Sequence, residues 1–160
     1  MLLAGLAAFG LLTYSGIGKV KVGGPLYERI VLDKDLVADI LPPPNYIIES
    51  WLTVLLLADP DRAVQQSKLI EKLALLKKDY DARHDFWLKQ DLPAAIKARF
   101  LQDAHEPAAR FYALAFSDFL PAVTDNNAAE VRAAMVKLEA LYEMHRKAID
   151  DVVKLATEHQ

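Results

Sequence analysis

The sequence predicts an all-α protein: an up-down-up-down four-helix bundle with a proline-kinked first helix, preceded by a transmembrane helix. Three observations carry this. All six glycines of the 160 residues lie at or before Gly24. The first charged side chain is Lys19, so all 19 basic and 22 acidic residues follow an uncharged stretch, Met1 to Gly18. Beyond Gly24 no segment alternates apolar and polar residues with strand period, and proline and asparagine clusters cut the chain into four arms. Each arm is about 30 residues, roughly 45 Å at 1.5 Å per residue.

The lead-in, MLLAGLAAFGLLTYSGIG, is close to the minimum for a span, which needs ~17–25 residues. Tyr14 near its end suits departure through the membrane interface. No basic region precedes the apolar run, as a cleaved signal peptide would have. Residues 1–18 are therefore expected to be the C-terminal part of a first span, with Met1 not the true start. Charge alone gives no orientation, because only one flank, with Lys19 and Lys21, can be compared.

Residues 19–160 suit a single domain. The first arm opens after Gly23-Gly24-Pro25 and runs to about Ala58, interrupted at Pro42-Pro43-Pro44. The second begins with Asp59 as N-cap and Pro60 at the first helical position, and runs to about Gln90. The third starts near Asp91-Leu92-Pro93 and reaches about Thr124, interrupted at Pro107. The last is capped by Asp125-Asn126-Asn127, with Glu130 in capping-box spacing, and continues to the end of the chain. Short turns between matched arms predict antiparallel neighbours. Leu69, Leu73, Leu76, Tyr80, Arg83 and Trp87 form one seam at alternating spacings of four and three. Val131, Met135, Leu138, Tyr142, His145, Ile149, Val152 and Ala156 form another. A last arm without a stop signal reads as leading into a second span, with an output domain beyond it.

Composition narrows the function. A net charge of −3 and the absence of a basic run give no nucleic-acid partner. With no cysteine there is no thiol catalysis, disulfide scaffold or cysteine zinc site. G-x-S-x-G, P-loop, G-x-G-x-x-G and H-E-x-x-H patterns are all missing, so no enzyme is expected.

Pro42 and Pro107 each lie roughly 16–17 residues before the end of an arm, about 25 Å at 1.5 Å per residue, and those two arms run parallel. Both breaks therefore fall at one height, where the other two arms bring Tyr80, Arg83, His84, Tyr142 and His145, with His105 on the third. A proline frees a carbonyl from its helical partner, so this layer is polar for a bundle interior. Tyr80, Arg83, Trp87, Tyr142 and His145 are the candidate ligand contacts. Prolines that merely bend long helices are the competing reading.

Arg83 sits where a seam leucine is expected. It must snorkel outward or find an anion, either Glu139, Glu143 or a neighbouring Asp, or the carboxylate of a small ligand with Tyr80 and Trp87 as walls. His145 is either a satisfied core histidine or part of the lining. Only His84 and His105 could join it at a metal, and no Glu-x-x-His pair is present, so neither metal nor cofactor is expected.

Three stretches resemble the periplasmic sensor region of bacterial methyl-accepting chemotaxis proteins: GGPLYERIVLDKDLVADILPPPNYIIESWL (23–52), KDYDARHDFW (78–87) and YEMHRKAIDDVVKLA (142–156). LPPP followed by an aromatic residue and IIES is the most specific part. The resemblance implies a helical-bundle ligand-binding domain between two spans of the inner membrane, exposed to the periplasm, working as a homodimer and read by a cytoplasmic signalling hairpin. Related sensor histidine kinases carry similar domains, and a ligand-free dimerising bundle is the alternative of a different class. No ligand-contact motif carries over from the family.

Overall fold

The computed structural model describes residues 13–14, 24–40 and 45–158, and no strand occurs among them. The all-helical expectation is met there. The span expected over residues 1–18 lies outside the described residues apart from Thr13 and Tyr14. No helix among the described residues is long and apolar enough to cross a membrane.

The first arm contains α1 (Pro25–Ile40) and α2 (Ile48–Leu57). The Pro42-Pro43-Pro44 break lies between them, outside the described residues. A 3₁₀ turn (Pro60–Gln65) leads into α3 (Gln66–Trp87). Asp59 caps this start as expected, its carboxylate accepting from the Asp61 N–H at 3.0 Å. The α-helix itself begins later than Pro60. The Arg62 N–H bonds to the Asp59 carbonyl at 3.1 Å, an i→i+3 contact that tightens the turn. Likewise α3 ends at Trp87 and not near Gln90, because the amides of Lys89 and Gln90 close i→i+3 bonds onto Phe86 and Trp87.

The third arm, residues 94–124, departs most from expectation. It comprises α4 (Ala94–Ala98), α5 (His105–Leu114) and α6 (Leu120–Thr124), joined by π-helical turns at Arg99–Ala104 and Ala115–Phe119. Two interruptions replace the single one expected at Pro107, and each precedes a proline. Pro107 and Pro121 have no N–H to offer the carbonyls of Asp103 and Ser117, and their rings crowd those carbonyls. Both carbonyls lie inside the π turns, whose wider i→i+5 spacing accommodates the ring.

The arm ends in a Schellman motif. Asn127 N–H bonds to the Ala122 carbonyl at 2.9 Å and Asn126 N–H to that of Val123 at 3.2 Å. Asn126 takes the left-handed conformation this needs, φ 53°. Asn127 then caps α7 (Ala128–Glu158), its side-chain oxygen accepting from the Glu130 N–H at 3.3 Å.

Contacts fix the directions of the arms. Along α2 and α7, Tyr46 meets Tyr142 while Leu57 and Val131 share a cavity at the other end, so the two run antiparallel. Along α3 and the third arm, Tyr80 meets Tyr112 while Trp87 meets Phe100, again antiparallel. Most of the predicted seam is buried: Leu69, Leu73, Tyr80 and Trp87 on α3, and Leu138, Tyr142, His145, Ile149, Val152 and Ala156 on α7.

The apolar interior is divided in two. One cluster, including Val54, Leu73, Phe111, Phe119 and Leu138, fills the end where the arms turn. The other, including Leu36, Trp87, Ile96, Phe100, Ile149 and Val152, fills the opposite end. Between them lies a waist of polar and aromatic side chains.

Candidate functional site

The waist forms at the height of the π turn before Pro107. Each arm crosses it: the first at Asn45 to Ser50, the second at Tyr80 to His84, the third at Ala104 to His105 and the fourth at Tyr142 to His145. These positions separate the two clusters in sequence as well, since Tyr142 belongs to one and Ile149 to the other.

His145 is the central strut. It is 1% exposed. Its Nδ1–H donates to the carbonyl of Ala104, at the end of the first π turn, at 2.8 Å. Its Nε2 accepts from the backbone N–H of Ile47 at 3.4 Å, just before α2. Three arms are therefore joined through one imidazole, and the two partners assign the proton to Nδ1. Burial holds its pKa down to about 4, against the pull of the Ala104 and Asn45 backbone, with His105 adding to the depression. The ring is neutral at physiological pH.

Hydroxyl pairs extend the waist. The Tyr46 and Tyr142 hydroxyls lie 2.8 Å apart, and those of Ser50 and Tyr112 lie 2.7 Å apart. Tyr80 hydroxyl pairs with His105 Nδ1 at 3.0 Å. Burial raises the pKa of all three tyrosines Tyr80, Tyr112 and Tyr142, so they remain neutral hydrogen-bonding groups. His84 stacks on His105 with ring centroids 3.6 Å apart and planes inclined by 13°. Burial lowers both pKa values, and at His84 the neighbouring His105 lowers it further. Asn45, 2% exposed, has its side-chain Nδ2 buried without a partner among the described residues.

The five residues singled out by sequence thus divide. Tyr80, Tyr142 and His145 meet in the waist. Arg83 stands at its edge with the guanidinium carbon 4.3 Å above the Phe86 ring and 5.9 Å from that of Trp87, a cation–π arrangement. Trp87 lies wholly inside the second apolar cluster, edge-on to Phe100 at 6.1 Å. Glu143 pairs on the surface with Arg146 at 2.9 Å.

Sequence reasoning missed Asn45, Tyr46, Ser50, Trp51 and Tyr112. Tyr46 and Ser50 had a signal, since they are the aromatic residue and the serine of LPPPNYIIES. Trp51 stacks on Tyr142 at 5.5 Å. Tyr112 could have been found from the apolar spacing through Ala108, Phe111, Ala115 and Phe119.

Neither described cavity is lined by any of the five. One, of about 390 Å³, lies where the two inter-arm turns meet. The other, of about 480 Å³, lies between Arg110, Leu114 and Ser117 on the third arm and Lys137, Leu141 and Met144 on α7. Among the described residues no cluster of three or more His, Asp or Glu side chains is placed to hold a metal ion. No family model, curated protein or solved structure matches the chain.

Proposed function

We propose that residues 19–160 are the extracytoplasmic sensor domain of a membrane-spanning, chemoreceptor-like transducer, built as an up-down-up-down four-helix bundle. In this reading residues 1–18 anchor it in the inner membrane and two copies work as a parallel homodimer. Ligand binding displaces the last arm against the first, and an output domain outside these 160 residues reads the displacement. The domain is not an enzyme and carries no cofactor or metal.

The observation that carries the reading is the polar waist. LPPPNYIIES, the most specific part of the chemoreceptor resemblance, supplies Asn45, Tyr46, Ile47 and Ser50 to it. Few hydrogen bonds tie α7 to the other arms there, and apolar packing resumes on either side. A ligand that prefers one arrangement of those bonds shifts α7 by its differential affinity. Tyr80, Tyr142 and His145 are the proposed contacts, with Arg83 as charge partner at the rim and Trp87 as the packed wall beneath it. The donors and acceptors on offer suit a small polar carboxylate such as a hydroxydicarboxylic acid.

Malate should raise the melting temperature of the wild type. Arg83→Ala should lose that gain while leaving the ligand-free protein folded. A phosphatase that folds only outside the cytoplasm should be active when fused after Asp59. An inactive fusion together with no stabilisation by polar organic acids would sink the sensor reading. The close packing of the waist favours one second reading, a ligand-free dimerising bundle, and under that reading malate shifts nothing.

A further inference from the structure

We propose that the cavity at the turning end of the protein binds a small apolar monocarboxylate, with Arg132 as its charge partner. This site is separate from the waist. It is a half-open pocket, bordered by the 3₁₀ turn after α2 on one side and by the Schellman turn and first helical turns of α7 on the other. Its volume, about 390 Å³, falls within the usual range for small-ligand pockets, roughly 300–1,000 Å³. The space exists because positions 58, 63 and 128 are alanine where longer side chains would fill it.

Arg132 is set apart by its surroundings. Arg62, Arg99, Arg110 and Arg146 each pair with an acid three or four residues away. At those spacings Arg132 has Ala128, Ala129, Met135 and Val136. It makes no ion pair or hydrogen bond with any described residue, and it lines the cavity. Across the opening Arg62 is already paired with Asp59, Nε to Oδ2, at 3.3 Å. Among the residues that line the pocket, Asp59, Arg62 and Arg132 leave a net charge of +1, which matches one carboxylate and not two. The half-buried Gln66 adds an amide donor at the rim. Leu57, Val123 and Val131 provide an apolar floor, so the body of the ligand is a branched aliphatic chain or a ring.

The chemistry separates this site from the waist, whose ligand is polar. The test measures melting temperature and titration calorimetry on the full chain with benzoate, isovalerate, benzamide and malate. Benzoate and isovalerate should bind and stabilise, while benzamide, which keeps the shape and loses the charge, should not. Arg132→Gln should weaken benzoate binding by roughly tenfold or more without changing the melting temperature of the ligand-free protein. Ala63→Phe should block binding by filling the cavity. Arg83→Ala should leave benzoate binding intact. The proposal is overturned if neither acid binds, if Arg132→Gln binds benzoate as tightly as the wild type, or if malate competes for the same site. Loss of benzoate binding in Arg83→Ala but not in Arg132→Gln moves the ligand to the waist and also overturns it. A protein that binds benzoate through Arg132 but never malate retains this site and loses the waist as a ligand site.

Discussion

His145 illustrates how one side chain can be both a core residue and a joint. A leucine at this seam position would pack as well, but it would leave the Ile47 N–H buried and unpaired, at about 1–3 kcal/mol, and would remove the bond to the Ala104 carbonyl. Because the folded state keeps this imidazole neutral to about pH 4, while an unfolded histidine titrates near 6.5, the unfolded chain binds the extra proton between those values. Stability contributed by His145 is thus complete above pH 6.5 and falls as pH drops towards 4, by about 3 kcal/mol in all. His84 and His105, whose pKa values are also depressed, act in the same direction. Urea unfolding from pH 8 to pH 4 should show this loss, and His145→Gln should remove about one proton from its slope. The substitution should cost about 1–3 kcal/mol at pH 7, since glutamine cannot serve both partners at imidazole geometry. An unchanged acid limb would mean that this ring is not neutral in the folded state.

At the scale of elements, the turns were legible and the π segments were not. Asp59 and Asn127 could be read as caps because a short side-chain acceptor before a helical run has few other uses. The seam of α7 was legible because apolar spacing reports which face is buried. Proline identity announces a lost backbone bond, but it does not say whether the helix kinks, stops or widens. Pro107 was expected to interrupt the arm, and no interruption was expected at Pro121. The π turn beside Pro107 also aims the Ala104 carbonyl at His145. Alanine exceeds proline in helix propensity by about 3 kcal/mol, so Pro107→Ala in a free helix should be strongly stabilising. Here the gain should be largely absent, because relaxing to α-helical spacing rotates Ala104 away from its histidine. Thermal unfolding decides the matter, and a gain approaching the full propensity difference would show that proline alone holds the turn open. The site was half legible for the same reason. Tyr80, Tyr142 and His145 lie on periodic seams, whereas Asn45 and Ser50 matter through contacts with other arms that no single-helix pattern records.

For the whole molecule, the question is what covers the apolar residues that the fold leaves out. Ile48, Leu52 and Leu55 follow one another at i, i+4 and i+7 along α2, on one exposed face. Tyr27, Ile30 and Val31 form a similar exposed group on α1. Both helices belong to the first arm, the arm that the transducer reading places beside its copy. Single exposed apolar residues are unremarkable, but a stripe on both helices of one arm has the pattern of an association face. A membrane tether would hold two such faces at an effective concentration of about millimolar, so the untethered chain needs only weak intrinsic affinity. Sedimentation should therefore show a monomer at low concentration passing to a dimer as concentration rises. Leu52→Glu should keep the chain monomeric and leave its melting temperature nearly unchanged, because surface substitutions usually move stability by less than about 0.5 kcal/mol. Cysteines placed at positions 48, 52 or 55 in membrane-embedded protein should cross-link like residue to like residue, as a two-fold parallel pair requires. A chain that stays monomeric near millimolar concentration and never cross-links at these positions has no homodimer on its first arm, and the displacement of α7 would then have to be read within a single copy.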